Sequence, residues 1–425
     1  GLLTISAAGN MTLDAGFTQS GAGAVSTAGD ITTANDDISF SSSVTLTDDI
    51  SLDTGATAGT ITFSGDVSGD FLLTVAAGTG DIDFDSTIGA ATPLSGLLVN
   101  SAANLDFEGS VAVDDEGIDI TAGTVDVNAS VTTTNAGTVE VTNSGALTIA
   151  AAGNMNLDGS FTQNGAGTVS TAGDIPTTDD NISFSSAVTL TGDISLDTGA
   201  GAGTITFSDD VSGDFLLTVA AGTGDIDFDS TIGAATPLSG LLVSSAANLD
   251  FEGSVAVDDQ GIDITAGTVD VNASVTTTNA GTVEITNSGT LTIAAAGDMS
   301  LDGSFTQNGA GTISTAGDIT TTDDNISFLS AVTLTDDISL DTGAGAGTIT
   351  FSDDVSGDFL LTVAAGTGDI DFDSTLGAAT PLSGLLVSSA ANLDFEGSVA
   401  VDDQGIDITA GTVDVNASVT TTNAG

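Results

Sequence analysis

Three aspartates alternate with two apolar residues in the stretch GTGDIDFDST at residues 78–87. Asp81, Asp83 and Asp85 are separated by Ile82 and Phe84. In an extended strand the three carboxylates therefore lie on one side and the apolar side chains on the other. Carboxylate oxygens are the ligands that Ca²⁺ prefers, and paired carboxylates also supply the acid and base of glycoside hydrolysis. The stretch raises the question of what balances its negative charge.

The composition makes that question general. The chain of 425 residues contains 59 aspartates and glutamates and no Lys, Arg or His, which gives a formal net charge of −59. Side chains therefore cannot pair with each other as ions, and positive charge must come from solution or from a partner. Because nucleic acids and anionic membrane surfaces are bound through Lys and Arg, we expect neither as a partner.

The same composition removes most catalytic chemistry. Without His, Cys, Lys or Arg there is no Ser–His triad, thiol nucleophile, zinc site of His and Cys, Schiff base or phosphate clamp. Carboxylate pairs could still hydrolyse glycosides, but the same acids recur along a repeat instead of meeting in one cleft. We therefore predict that the protein is not an enzyme.

A repeat of 144 residues organises the chain. AAGNMTLD at 7–14 returns as AAGNMNLD at 151–158 and as AAGDMSLD at 295–302. The predicted copies are residues 1–144, 145–288 and 289–425, the third being incomplete by seven residues. The segment TVEVTNSGALTIAAAG crosses the first junction without a Pro-rich or Ser-rich linker, so we expect one continuous solenoid.

Short alternating segments separated by Gly, Asn and Asp predict an all-β fold. Apolar–polar–apolar triplets such as LTI, ISF and IDF recur every six to nine residues. Such short strands, joined by turns at nearly constant spacing, favour a parallel β-helix of stacked coils with roughly 20 residues per coil and about seven coils per copy. Phe is expected to fill its interior. Tandem antiparallel β-sandwich domains are the alternative.

This architecture places carboxylates from successive coils about 5 Å apart, where a hard cation relieves their repulsion. Doublets at predicted turns add backbone carbonyl oxygens as further ligands. The sequence thus predicts cation sites, with Ca²⁺ as the candidate metal, at Asp36, Asp37, Asp48, Asp49, Asp81, Asp83, Asp85, Asp106, Glu108, Asp114 and Asp115. Where the residues 144 and 288 positions later are acidic, they are predicted sites as well. A solvated acidic face with diffuse sodium or magnesium is the alternative.

Residues 59–137 carry a family resemblance. The phrases GTITFSGDVSG and TPLSGLLV in this range, with LTIAAAGNMNLDGSF at 147–161, resemble the repeat regions of large bacterial β-strand-repeat surface proteins, the filamentous-haemagglutinin-like adhesins. The resemblance extends over all three copies. It implies an exported parallel β-helix that forms a stalk or an extracellular fibre.

Together these observations predict a structural role on the bacterial cell surface, as a segment of a longer repetitive protein that forms a fibre, stalk or sheath. We expect self-association end to end or laterally, bridged by divalent cations, and no membrane span, because apolar runs stay well short of about 18 residues. An adhesin region that binds a carbohydrate or a cationic partner is one alternative, and a surface-layer protein is another.

Overall fold

The computed structural model describes residues 1–423 and contains only strands, turns and bends in that range. It divides into two compact units, Gly1–Asp209 and a second that begins at Asp210. Each unit is a parallel β-solenoid in which stacked coils repeat about every 21 residues. The predicted fold class and coil length are therefore confirmed, and the antiparallel sandwich alternative is wrong, because the strands described within each unit pair in parallel.

The strands are short because turn residues interrupt each apolar alternation after two to five positions in most cases. The first unit contains β1 (Leu3–Ile5), β2 (Met11–Leu13), β3 (Phe17–Gln19), β4 (Val25–Thr27), β5 (Ile31–Thr33), β6 (Ile38–Phe40), β7 (Val44–Leu46), β8 (Ile50–Asp53), β9 (Ile61–Phe63), β10 (Val67–Ser68), β11 (Leu72–Ala76), β12 (Ile82–Phe84), β13 (Leu94–Ser101), β14 (Asn104–Phe107), β15 (Val111–Ala122), β16 (Thr124–Val127), β17 (Val131–Thr133), β18 (Val139–Asn143), β19 (Leu147–Ile149), β20 (Met155–Asn156), β21 (Phe161–Gln163), β22 (Val169–Thr171), β23 (Ile175–Pro176), β24 (Ile182–Phe184), β25 (Val188–Leu190), β26 (Ile194–Asp197) and β27 (Ile205–Phe207).

The second unit follows the same pattern. It contains β28 (Val211–Ser212), β29 (Leu216–Ala220), β30 (Ile226–Phe228), β31 (Leu238–Ser245), β32 (Asn248–Phe251), β33 (Val255–Ala266), β34 (Thr268–Val271), β35 (Val275–Thr277), β36 (Val283–Asn287), β37 (Leu291–Ile293), β38 (Met299–Leu301), β39 (Phe305–Gln307), β40 (Ile313–Thr315), β41 (Ile319–Thr321), β42 (Ile326–Phe328), β43 (Val332–Leu334), β44 (Ile338–Asp341), β45 (Ile349–Phe351), β46 (Val355–Ser356), β47 (Leu360–Ala364), β48 (Ile370–Phe372), β49 (Leu382–Ser389), β50 (Asn392–Phe395), β51 (Val399–Ile408), β52 (Thr412–Val415) and β53 (Val419–Thr421).

Three parallel faces form each coil of the first unit. The first face contains β1, β4, β7 and β10, and continues through a β-bridge at Ile88 to the start of β15. The second face contains β2, β5, β8, β11 and β13, and then the second half of β15. The third face contains β3, β6, β9, β12, β14 and β16. Successive strands of the chain thus visit the three faces in turn.

Phe fills the interior, as predicted. Phe40, Phe63, Phe84 and Phe107 are almost completely buried, and neighbouring rings stack with centroids 5.1–5.5 Å apart. The same ladder recurs in the later copies. Phe71 is the exception in the first copy, because it lies half-buried beside β11 and outside the stack.

Copies of the repeat do not occupy the same face. The LTI segment of the first copy, β1, lies on the first face, whereas its copy β19 pairs with β16 on the third face. In the same way β3 lies on the third face and its copy β21 pairs with β18 on the second. A copy therefore contains about six and two-thirds coils, close to the predicted number of about seven, and each copy is displaced by one face.

A buried amide ladder fixes the register at one corner. Gln163 is fully buried and donates from Nε2 to Asn143 Oδ1 at 2.7 Å and to the Gly165 carbonyl at 2.8 Å. Its Oε1 accepts hydrogen bonds from the Ser185 backbone and from the Ser186 hydroxyl, each at 3.1 Å. Because the bonds to Asn143, Ser185 and Ser186 join one coil to the next, a slipped coil would leave these buried groups unpaired.

Candidate functional site

A ladder of carboxylates lies directly outside the Phe stack on the third face. Asp83 of β12 is in register with Asp106 of β14, and Asp106 is in register with Asp126 of β16. The flanking residues Ile82 and Phe84 point into the core. The predicted alternation of outward carboxylates and inward apolar residues is thus confirmed. We call Asp83, Asp106 and Asp126 the aspartate ladder.

The same ladder recurs twice in the second unit. Asp227, Asp250 and Asp270 lie on β30, β32 and β34, and Asp371, Asp394 and Asp414 lie on β48, β50 and β52. These two series belong to different faces of the coils. The face of β30, β32 and β34 continues to β37. The face of β48 instead descends from β36 through β39, β42 and β45. The displacement by one face therefore applies to the carboxylates as well.

Hydrogen-bond donors from the next coil approach carboxylates in the aspartate ladder and beside it. Asn104 Nδ2 donates to Asp81 Oδ1 at 2.6 Å, and Asn128 Nδ2 donates to Asp106 Oδ1 at 2.9 Å and to Glu108 Oε1 at 3.4 Å. The spacing of 20–23 residues corresponds to one coil. Uncharged amides of the chain thus solvate part of its own negative charge, which the sequence analysis did not anticipate.

Charge and partial burial act together on the ladder. Burial raises the pKa of Asp83, and the carboxylates of Asp81 and Asp85 raise it further. Burial also raises the pKa of Asp106, with additional increases from Glu108 and Asp126. Burial and a facing glutamate likewise raise the pKa of Asp119. The pKa is raised, with burial again the largest cause, at the corresponding residues Asp227, Asp250, Asp263 and Asp371.

Asp66 shows the opposite behaviour at a corner. Hydrogen bonds from the hydroxyls of Ser86, at 2.5 Å, and Thr87, at 2.7 Å, lower the pKa of Asp66. The Thr87 backbone also donates to this carboxylate. Where hydroxyl and amide donors converge on one carboxylate, the protein stabilises its charged form without a cation.

Two of the predicted aspartate doublets lie in short connections between strands, as expected. Asp36 and Asp37 precede β6, and Asp48 and Asp49 precede β8; all four are exposed. Asp37 accepts a hydrogen bond from the Thr60 backbone at 2.9 Å. Asp49 accepts one from the Leu72 backbone at 3.0 Å. Backbone donors of the following coil therefore occupy one oxygen of each of these two carboxylates.

The third doublet lies elsewhere than predicted. Asp114 and Asp115 lie inside the long strand β15 and not at a turn. β15 stays continuous there because Gly117 adopts φ +70, which lets one strand pass from the first face to the second. Asp114 accepts hydrogen bonds from Thr134 Oγ1 at 2.7 Å and Asn135 Nδ2 at 2.6 Å, whereas Asp115 is exposed.

The structure brings some predicted cation ligands together and separates others. Asp83 and Asp106 lie on neighbouring strands of one face, and Asp81, Asp85 and Glu108 directly flank these strands. Asp85 also accepts a hydrogen bond from Ser64 Oγ at 3.0 Å. The doublets lie apart from this group, at other positions in the coils. Within residues 1–423, no group of three or more carboxylates is gathered closely enough to hold a metal ion. The Ca²⁺ assignment stays a prediction.

Two shallow grooves repeat with the sequence. One lies in the first unit and is lined by small residues of successive coils, including Gly78, Ala102, Gly123 and Gly165. Its counterpart in the second unit is lined by the residues 144 positions later. The grooves contain Ser, Thr and Asn as their polar side chains and no carboxylate. They offer no acid–base pair for catalysis.

Comparison with known proteins gives no relative, since no family model, curated protein or solved structure matches the chain. The resemblance to filamentous-haemagglutinin-like repeats therefore stays a prediction. Over the part of the chain that the structure describes, no helix has the length and apolar character needed to cross a membrane.

Proposed function

We propose that the chain is a structural element of a bacterial cell surface, a segment of an extracellular fibre, stalk or sheath without catalytic activity. The observation that carries this proposal is that the side chains available for chemistry recur with the repeat instead of forming one unique site. The aspartate ladder is present in all three copies, and the grooves recur 144 residues apart. A catalytic site needs one concave pocket in which its groups meet at defined separations, and a surface that recurs along the coils does not provide one.

The mechanism of such an element is strand pairing from coil to coil. Main-chain hydrogen bonds join each coil to the next, as from Val125 N to Ala146 O at 2.9 Å and from Ala150 N to Val127 O at 3.0 Å. The Phe ladder adds stacked apolar contacts in the same direction. Load along the coils is thus distributed over many parallel contacts instead of a single domain interface.

The acidic exterior supports an extracellular role in two ways. A formal net charge of −59 keeps copies soluble and apart until cations screen or bridge them. The absence of Lys and Arg also leaves trypsin-like proteases without a cleavage site.

Immunogold labelling tests the proposal. Antibodies raised against the 425-residue chain should label intact cells of the organism that encodes it, on threads or on a sheath around the cell. Label that requires permeabilised cells would overturn the surface location. A two-dimensional lattice would replace the fibre with the surface-layer alternative, and saturable binding of the purified chain to one glycan or cationic protein would replace it with the adhesin alternative.

A further inference from the structure

Two asparagines in the chain are directly followed by glycine. They are Asn164 and Asn308, which occupy the same position in the second and third copies of the repeat, where the first copy has Ser20. Both asparagines are exposed, and each lies directly after a strand, β21 or β39. Asn is among the thermolabile residues. Its side-chain amide carbon is open to attack by the main-chain nitrogen of the next residue, and a glycine there has no side chain that hinders the attack.

Hydrogen bonds attach both asparagines to the preceding coil. Asn164 Nδ2 donates to Glu140 Oε1 at 2.7 Å, and Asn308 Nδ2 donates to Glu284 Oε1 at the same distance. The main chain of Asn164 donates to the Val141 carbonyl at 2.9 Å. The side-chain nitrogen of each amide therefore lies at the exposed surface of the coil, beside a carboxylate.

The main-chain nitrogen that follows each asparagine is not engaged in a hydrogen bond. Within residues 1–423, neither Gly165 N nor Gly309 N has an acceptor, although both glycines are buried. Buried main-chain N–H groups are nearly always paired, so these two are exceptions. A paired N–H group must break its hydrogen bond before the nitrogen attacks a carbonyl carbon, and these two groups have no such bond to break.

We propose that Asn164 and Asn308 deamidate spontaneously in the folded protein. Gly165 N loses its proton to water and forms a bond to Asn164 Cγ. The bond from Cγ to Nδ2 then breaks, as this nitrogen takes up a proton and leaves as ammonia. Water opens the resulting succinimide at either of its carbonyls, which gives aspartate or isoaspartate in place of Asn164. The net reaction consumes one water and releases one ammonia, without an oxidant, a reductant or an enzyme.

The product changes the charge of the two shallow grooves. Asn164 lines one groove and Asn308 lines the other, and neither groove has a carboxylate among its lining residues. Deamidation introduces one there. The new carboxylate also replaces a hydrogen-bond donor to Glu140 by a like charge, and the two carboxylates repel each other.

Isoaspartate also changes the packing of the corner, because it lengthens the main chain by one carbon next to Gly165. Space is lacking at this point, since even an added Cβ on Gly165 would collide with the Asn143 carbonyl oxygen. We therefore expect the corner to loosen around the buried Gln163 and its hydrogen bond to the Gly165 carbonyl. This inference goes beyond the proposed structural role and does not depend on it.

Peptide mass mapping of the purified chain after incubation at pH 7.4 and 37 °C tests the reaction. Pepsin supplies the peptides, because a chain without Lys and Arg offers trypsin no cleavage site. Asn164 and Asn308 should gain the mass of deamidation at least ten times faster than Asn181 and Asn325, which are also exposed but are followed by Ile. Equal rates at the four residues, or reaction of Asn164 and Asn308 only after unfolding in urea, would overturn the proposal.

An Asn164→Ser variant tests the effect on the corner. It introduces the residue of the first copy, where Gln19 still donates to the Gly21 carbonyl, so the variant should fold. The mass gain at this position should disappear, while Asn308 reacts as before and serves as the internal control. After incubation, hydrogen–deuterium exchange around Gln163 should be at least five times faster in the wild type and unchanged in the variant. Equal exchange in fresh and incubated wild type would overturn the expected loosening.

Discussion

Replacing Asp106 with Asn tests whether the aspartate ladder destabilises the coils that carry it. Asp106 lies in register between Asp83 and Asp126, on strands about 4.8 Å apart. At that distance two unit charges in water repel by about 0.9 kcal/mol, and a Debye length of about 8 Å at physiological salt roughly halves this value. Two neighbours therefore cost about 1 kcal/mol, and Asn removes that cost while its Oδ1 still accepts the hydrogen bond from Asn128.

The assay is urea unfolding at pH 7 in 0.15 M NaCl, followed by circular dichroism. Asp106→Asn should stabilise the protein by about 1 kcal/mol at pH 7. The gain should shrink as pH falls through the raised pKa of Asp106 and should disappear well below 3.8, where the wild-type carboxyl is protonated in the folded and in the unfolded state. Asp53→Asn is the control, because the residues in register with Asp53 on the neighbouring coils, Thr32 and Ala76, carry no charge. A loss of stability in Asp106→Asn at pH 7 would refute the reasoning and indicate that a bound cation needs this carboxylate.

Three further outcomes are expected. The melting temperature should rise as pH falls from 7 toward 3.8, because aspartates whose pKa is raised in the folded state contribute stability that is complete below 3.8 and lost as pH rises through the raised pKa. A steady fall of the melting temperature over this range would contradict the effect of the ladder. Phe84→Ala should lower the free energy of unfolding in urea by about 3–5 kcal/mol, since Phe84 is 1% exposed and lies between two stacked rings. Phe71→Ala, outside the stack, should lower it clearly less. Equal losses in the two variants would argue against a contribution of the stack. Specific Ca²⁺ sites would make EDTA lower the melting temperature below that of a control at matched ionic strength, whereas an unchanged value would leave only diffuse cations.

Much of the fold follows from the sequence because the local pattern and the global fold agree. Triplets such as IDF at 82–84 and LDF at 105–107 are strands with the expected burial, since a coil needs only one apolar alternation per face. Strands without that pattern were not predicted: FTQ at 17–19 and VTT at 131–133 end in polar residues. Their inward Gln and Thr side chains are satisfied by hydrogen bonds to corner carbonyls, as from Thr133 Oγ1 to Gly137 O at 2.6 Å.

The candidate site was only partly predictable for a related reason. Alternation identifies Asp83 and Asp106 as outward carboxylates, but it gives no information on which residue of the next coil faces them. That partner depends on the exact number of residues in each coil. The spacing is 23 residues between Asp81 and Asn104 but 20 residues between Glu108 and Asn128, which are joined by hydrogen bonds from one coil to the next. A search for Asn at this spacing from each Asp or Glu would have found several of the donors.

The displacement by one face bears directly on how such a repeat can function. A partner that binds one face of the second unit meets the ladder of Asp227, Asp250 and Asp270 there, and finds the ladder of Asp371, Asp394 and Asp414 on a different face. A receptor site selected for repeated use on one side would favour a repeat with a whole number of coils. Strand pairing and core stacking impose no such condition, because every face supplies the same main-chain bonds and the same apolar interior. A structural element can therefore have a repeat of about six and two-thirds coils without losing strand pairing or core contacts. Such a repeat also distributes negative charge over more than one side of each unit.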